Sequence, residues 1–428
     1  MSTAIATRAP PYRPAYRDAE ASPHALVARL RIMFIWLIAF SGWFVMIEPA
    51  PYEFIIFLAM IVFVATGVSL RASQVPLLLL LIVHNIGFVI ALMPVIELPD
   101  TLKWAAVSGM LSVSTLFFAM LLGDDTVRRL DVLNRGYVAG AVLASTIAVL
   151  AFYKLFPGWE NFILNLRAKG AFKDPNVFGP FLILPGLILI QRIISGGLRN
   201  MVLGGVMLMI IAAGIFLSFS RGAWGNFAVS AIVMLALLAI TSSSVNLRIR
   251  IALFSIIGAA VIAAVVLALL STRDVSDLFQ DRATLVKDYD AGPAGRFGRQ
   301  FQGFLMIQDA PLGLGPIQFS RYFNYEPHNS FIDPFMNGGW LAGITWLVLT
   351  LMTLALGFRH VFVRAPWQPT YIAVYAAFIG EVGESYIIDV QHWRHYFLIM
   401  GVIWGLMTAR RPPADQGQTT AAATGRQL

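Results

Sequence analysis

Long apolar runs separated by short polar breaks dominate the chain, and their repeated length points to a hydrocarbon solvent. Twelve runs fall at roughly 31–47, 52–70, 75–93, 101–122, 134–156, 176–194, 198–217, 222–241, 247–270, 331–357, 369–388 and 393–409. A bilayer core about 30 Å thick takes about twenty residues of helix, and inside it every backbone N–H and C=O must be satisfied within its own segment. The period-two alternation of a membrane barrel is absent from these runs. The pattern therefore predicts an all-α polytopic membrane protein with about twelve transmembrane helices. One long connection, residues 272–330, lies between the ninth and tenth.

Composition agrees with that class. Of 428 residues, 58% are hydrophobic and 13% charged, and the mean hydropathy is +0.73, too apolar for a water-soluble domain. Charge supplies the orientation. With the N-terminus in the cytoplasm, eighteen of the thirty-one Lys and Arg residues fall on that side. The short opposite loops hold Lys103, Lys154, Arg167, Lys169, Lys173, Arg221 and Arg394, and six more lie in 272–330. The positive-inside rule then predicts both termini in the cytoplasm. This bias accounts for the net charge of +8 and gives no reason to invoke nucleic acid.

The chain divides accordingly into a cytoplasmic tail (1–30), nine spans (31–271), an extracytoplasmic loop (272–330), three spans (331–409) and a disordered cytoplasmic tail (410–428). The first span reads as an uncleaved signal anchor. With no cysteine, disulfides, thiolate catalysis and Cys-ligated metal are excluded. No HxxxH or HExxH spacing occurs, and Asp389 with His392 is an incomplete ligand set, so no metal and no cofactor are expected.

Three polar outcrops carry candidate chemistry: Leu217-Ser-Phe-Ser-Arg-Gly-Ala223, Gly295-Arg-Phe-Gly-Arg299 and Glu326-Pro-His-Asn-Ser330. The topology puts Arg221, Arg296 and His328 on the side opposite the termini. Arg221 either snorkels to the interface or, with small hydroxylic neighbours such as Ser220, holds phosphate oxygens in its planar fork. The same applies to Arg167 and Lys169 in the loop 157–175. Residues 296–308 read as an amphipathic helix lying along the membrane surface, with Phe297, Phe301, Phe304 and Leu305 on one face and Arg296, Arg299 and Gln300 on another. Arg296 then either pairs with lipid headgroups or a loop Asp, or stands in a first helical turn that favours an anion. His328 is either a polar cap or a general base oriented by Asn329 and Ser330, with His392 and His395 next in line. Glu381 and Glu384, one turn apart, call for a wet cavity or a neighbouring Arg.

These stretches resemble the O-antigen ligase superfamily, which contains lipopolysaccharide O-antigen ligases and related polysaccharide polymerases. The likeness lies in Phe172-Lys-Asp-Pro-Asn-Val-Phe-Gly179, Leu217-Ser-Phe-Ser-Arg-Gly-Ala223, Gln308-Asp-Ala-Pro-Leu-Gly-Leu-Gly315, and His328-Asn-Ser-Phe331 followed by Gly338-Gly-Trp-Leu-Ala-Gly343. It covers roughly residues 130–360. The resemblance implies a C-type, metal-independent, inverting glycosyltransferase of the bacterial inner membrane, with its active site in the periplasm. The donor it implies is a glycan on a polyprenyl diphosphate. Arg221 and Arg296 match the family's diphosphate-binding arginines, with Arg299 competing for the second role, and His328 matches the residue that activates the acceptor hydroxyl. The acceptor is lipid A core in a ligase and another lipid-linked glycan in a polymerase; the spacing from Arg221 through Arg296 to His328 resembles the ligase branch. A flippase for lipid-linked sugars is the alternative from another class, though its hallmark of repeated halves is not evident in the chain.

Overall fold

A computed structural model describes residues 23–282, Gly292 and residues 295–410. Most of the N-terminal tail, the C-terminal tail beyond Arg410, and the loop acids Asp288 and Asp290 lie outside the described residues. The helices are α1 (Pro23–Ser41), α2 (Pro51–Ala65), α3 (Val75–Leu92), α4 (Thr101–Leu121), α5 (Thr126–Phe152), α6 (Pro175–Phe181), α7 (Ile183–Ser195), α8 (Leu198–Leu217) and α9 (Arg221–Thr241). They continue as α10 (Val245–Leu270), α11 (Arg273–Arg282), α12 (Arg296–Asp309), α13 (Ser320–Phe323), α14 (Asp333–Val361), α15 (Gln368–Glu384) and α16 (Arg394–Met407). The described residues are all-α apart from a hairpin of two two-residue strands, β1 (Ile163–Leu164) with β2 (Arg167–Ala168), antiparallel in the register Ile163 to Ala168.

Each apolar run of the sequence coincides with a helix, the sixth with the broken pair α6 and α7. Asp174 caps that pair by accepting from Asn176 N at 2.6 Å, Pro175 opens it, and Pro180 inside α6 precedes the break at Leu182. Seven helices among the described residues are long and apolar enough to cross a membrane on length and composition. The long connection is not structureless, since it holds α11, α12 and α13, and α1 starts at Pro23, inside the segment read as a tail.

Interhelical contacts sort the loops into two ends. At one end Arg71 donates to Gly123 O and Thr408 O and pairs with Asp124 at 2.8 Å, and Arg31 donates to Thr66 and Gly67. At the other, Val45 N donates to Ala171 O, Glu48 pairs with Lys173 at 2.8 Å and Lys103 at 3.3 Å, and Arg394 pairs with Glu53 at 2.5 Å. Burial pushes the Glu48 carboxyl up, but Lys173, Lys103 and Arg394 together outweigh it and hold the group below its ordinary value. Between the ends, buried Trp346, Trp404, Tyr137 and Phe178 fill the bundle. Side chains such as Phe57, Ile232 and Ile256 face outward as a lipid-facing belt does.

Two glycines set the geometry around the candidate site. Gly339, with φ 68°, interrupts α14 so that Trp340 N can donate to Pro311 O at 2.8 Å while Leu314 N reaches Met336 O at 2.7 Å. The Gly313 and Gly338-Gly339 motifs are thereby one packed junction. Gly380 lets α15 lie against α9: a Cβ there would sit 2.1 Å from both Asn226 Oδ1 and Ser230 Oγ. Gly380→Ala is expected to cost about 1–3 kcal/mol through overpacking, read as a lower thermal midpoint of the detergent-solubilised protein. An unchanged midpoint would mean that the two helices have room to part.

Candidate active site

The first outcrop is a turn of three residues between α8 and α9. Ser218 Oγ donates to Ile215 O at 2.7 Å and accepts from Ser220 N at 3.3 Å, and Phe219 takes φ 46°. Ser220 Oγ in turn accepts from Ala223 N at 3.3 Å, the N-cap bond of α9. Ser220 is thus buried and occupied as a cap. Arg221 becomes the first residue of α9, where the helix dipole favours an anion. Arg167, on β2, donates from Nε to Ser218 O at 2.8 Å and from Nη2 to Asn176 Oδ1 at 2.7 Å, which ties the loop 157–175 to this turn. Lys169, two residues on, is partly buried, and burial holds its ammonium below its ordinary value against the opposing charge of Asp174.

The second outcrop forms α12, with Arg296 as its first residue after Gly295. Phe297, Phe301 and Phe304 are 53%, 59% and 60% exposed while Arg299 is only 8% exposed, so the two faces expected from the periodicity are present. The Arg299 guanidinium stacks over the Tyr325 ring at 5.1 Å. Gln300, one turn after Arg296, donates from Nε2 to His328 O at 3.0 Å and to Tyr386 O at 3.2 Å, which fastens α12 to the third outcrop.

His328, with φ 51°, projects from a segment that is stitched to the stretch after α15. Ser330 N donates to Ser385 O at 2.8 Å, Ser330 Oγ donates to Ile388 O at 3.0 Å, Val390 N donates to Ser330 Oγ at 2.8 Å, and Gln391 Nε2 donates to Ser330 O at 3.0 Å. Asn329 accepts from Phe331 N at 2.9 Å and donates to Tyr386 O at 3.2 Å, so it orients the backbone at this point. The result is a pair missed in the sequence: His328 Nδ1 lies 3.1 Å from Asp389 Oδ2. With Nδ1–H donating to the carboxylate, Nε2 is the accepting nitrogen. Glu326 stands close by, its Oε1 accepting from Ser320 N at 3.3 Å. Burial pushes the Glu326 carboxyl up, the Ser320 bond opposes this, and the charge of Asp389 raises it further.

The other candidate bases are placed differently. His392 is half-buried, with Nε2 2.8 Å from Ser108 Oγ, and desolvation with Arg394 nearby pushes it down to about 4. His395 is 4% exposed inside the bundle, whereas the His328 side chain is 37% exposed. Among the three, His328 alone is both accessible and paired with a carboxylate.

The last turn of α15 joins the outcrops. Glu384 Oε2 accepts from Asn226 Nδ2 at 2.8 Å, and its Oε1 lies against Gly222, the residue after Arg221. The next residue, Ser385, holds Ser330. The turn bearing Arg221, the start of the histidine segment and the Gln300 face of α12 therefore meet around residues 384–389. Glu384 thus has the Asn226 amide as a neighbour, and His395 Nε2 lies 3.6 Å from Glu381 Oε1. His84, within α3, bonds Ala342 O at 2.9 Å and ties α3 to α14.

A protein-family model described as O-antigen ligase matches residues 206–347. That stretch runs from α8 through the Arg221 turn, α12 and His328 into α14. A search of curated proteins finds no match to this chain.

Proposed function

We propose, from the membership of this multi-pass membrane protein in the O-antigen ligase superfamily, that it moves a glycan from a polyprenyl-diphosphate carrier to an acceptor hydroxyl at the end of the bundle bearing Arg221, Arg296 and His328. The family implies a glycosyltransferase-like enzyme and lipid-linked glycan substrates. The observation that carries the finer reading is the His328 Nδ1 to Asp389 Oδ2 contact at 3.1 Å beside a turn that presents Arg221 at a helix start. In this reading His328 Nε2 takes the proton of the acceptor hydroxyl as its oxygen attacks the anomeric carbon. The glycosidic bond to the diphosphate breaks on the opposite face, which inverts the configuration, and Arg221 and Arg296 bear the charge that develops on the departing diphosphate. Arg299, buried under Tyr325, and Arg167, braced on Ser218, shape the site from behind. No step calls for a metal.

With both termini in the cytoplasm, as the charge bias favours, this end faces the periplasm from the inner membrane. The ligase reading takes lipid A core as acceptor. Loss of the gene is then expected to leave polymerised glycan unattached on its carrier, whereas accumulation of single repeat units would identify a polymerase. Purified protein in liposomes that moves glycolipid between leaflets and forms no new glycosidic bond would identify a flippase and reject both. Asp389→Asn can still hydrogen-bond His328, but its amide donor favours the tautomer with the proton on Nε2. Transfer is expected to fall by about 10²-fold or more with thermal stability retained; a rate within threefold of the parent would show that Asp389 does not set the tautomer.

A further inference from the structure

At the end of the bundle away from His328, three guanidinium groups border one cavity of about 400 Å³: Arg31 on α1, and Arg128 and Arg129 on α5. The acid among its described lining residues is Asp125, whose Oδ2 is 4.0 Å from Arg128 Nη1, both side chains being more than half exposed. The other two arginines are positioned by neutral groups. Arg31 donates from Nε to Thr66 Oγ1 at 2.8 Å and from Nη2 to the carbonyls of Thr66 and Gly67 at 2.6 and 2.7 Å, with its guanidinium 5.0 Å from the centre of the Phe63 ring. Arg129 donates to Leu121 O at 2.7 Å and lies 5.8 Å from the same ring. Asp124, next to Asp125, is paired with Arg71 at 2.8 Å.

Three cations thus line the recess with one acid, two of them preorganised by bonds to neutral groups. The remaining wall is apolar, formed by Val27 and Ile32. Beside it Leu26, Met33 and Val127 are 60%, 45% and 51% exposed and continue the lipid-facing surface of α1 and α5. A cationic recess with an apolar shoulder at the end of spanning helices fits an amphiphile whose head is an anion. Fixed guanidinium forks suit phosphate oxygens in particular.

We propose that this cavity is a binding site for the phosphate headgroup of an anionic phospholipid, whose acyl chains lie along α1 and α5. The site is independent of the glycan-transfer reading and sits at the opposite end of the same helices. The full chain, purified in detergent, is mixed with phosphatidylglycerol or phosphatidylcholine and the bound lipid is counted by native mass spectrometry. Preferential retention of phosphatidylglycerol is expected. Arg128→Gln is expected to weaken retention about fivefold, and Arg128→Gln with Arg129→Gln about twentyfold or more, at about fivefold per charge near the membrane surface. The single variant guards against misfolding, since Arg128 is exposed and its one described pair is the 4.0 Å contact with Asp125. Arg250→Gln, whose guanidinium bonds Gly196 O away from the cavity, is expected to change nothing. Equal retention of the two lipids, or undiminished phosphatidylglycerol in the double variant, would overturn the proposal. Inorganic phosphate that raises the melting temperature as much as short-chain phosphatidylglycerol does would overturn the lipid as the ligand and leave a free-phosphate site.

Discussion

Replacing His328 by asparagine is expected to lower the rate of glycan transfer by about 10³-fold and to leave the KM for the lipid-linked donor within about threefold. Asparagine is the instructive variant because His328 holds φ 51°, a conformation that asparagine tolerates and alanine resists. A loss with His328→Asn therefore reports chemistry, and a greater loss of stability with His328→Ala reports the backbone. In the proposed mechanism the base acts on the acceptor, so donor affinity should be spared while the maximal rate falls. The measurement is transfer by purified protein at saturating donor and acceptor, with melting temperature recorded for each variant. Activity within tenfold of the parent in a folded His328→Asn protein would move the base elsewhere, and His392, engaged by Ser108, and buried His395 are poorly placed to replace it.

Removing the guanidinium at Arg221 is expected to reduce kcat/KM by about 10²- to 10³-fold, with the donor KM rising as well as the rate falling. Arg221 opens α9 behind a serine cap, so the side chain and the helix start would bear on the same anion. Arg221→Lys keeps the charge and loses the planar fork, so it should recover less than a tenth of the lost activity. That variant separates the two readings of the residue. An arginine that merely reaches for the interface is replaceable by lysine with activity intact, and one that grips a diphosphate is not. Arg167→Ala offers a graded comparison: it removes the brace on Ser218 O while leaving Arg221 in place.

The helices were legible because each had to satisfy the same demand for apolar length, and the serine-rich break before Arg221 was legible because a charge there ends a span. The amphipathic helix was equally plain: phenylalanines at 297, 301 and 304 lie on one face, and they are exposed while Arg299 is covered. What escaped was pairing across distance. Asp389 is 61 residues from His328, and its only sequence neighbour of interest, His392, drew it toward an incomplete metal set. Gln300 carries no signal that it will hold two carbonyls, one of them 86 residues away. Ser220 was read as room for a headgroup, yet a serine before a helix is more economically used as its cap, and that is where its hydroxyl goes. Glu384 likewise found Asn226 on α9, a residue hidden in an apolar run.

Gln300 couples α12 to the histidine carbonyl, and the exposed phenyl rings on the far face of that helix would give it a preferred depth in a leaflet. On the proposed mechanism the bilayer would then work as a gauge block: lipids that seat α12 higher or lower would carry the His328 imidazole with it, and turnover should be tuned by acyl-chain length without a single residue being exchanged.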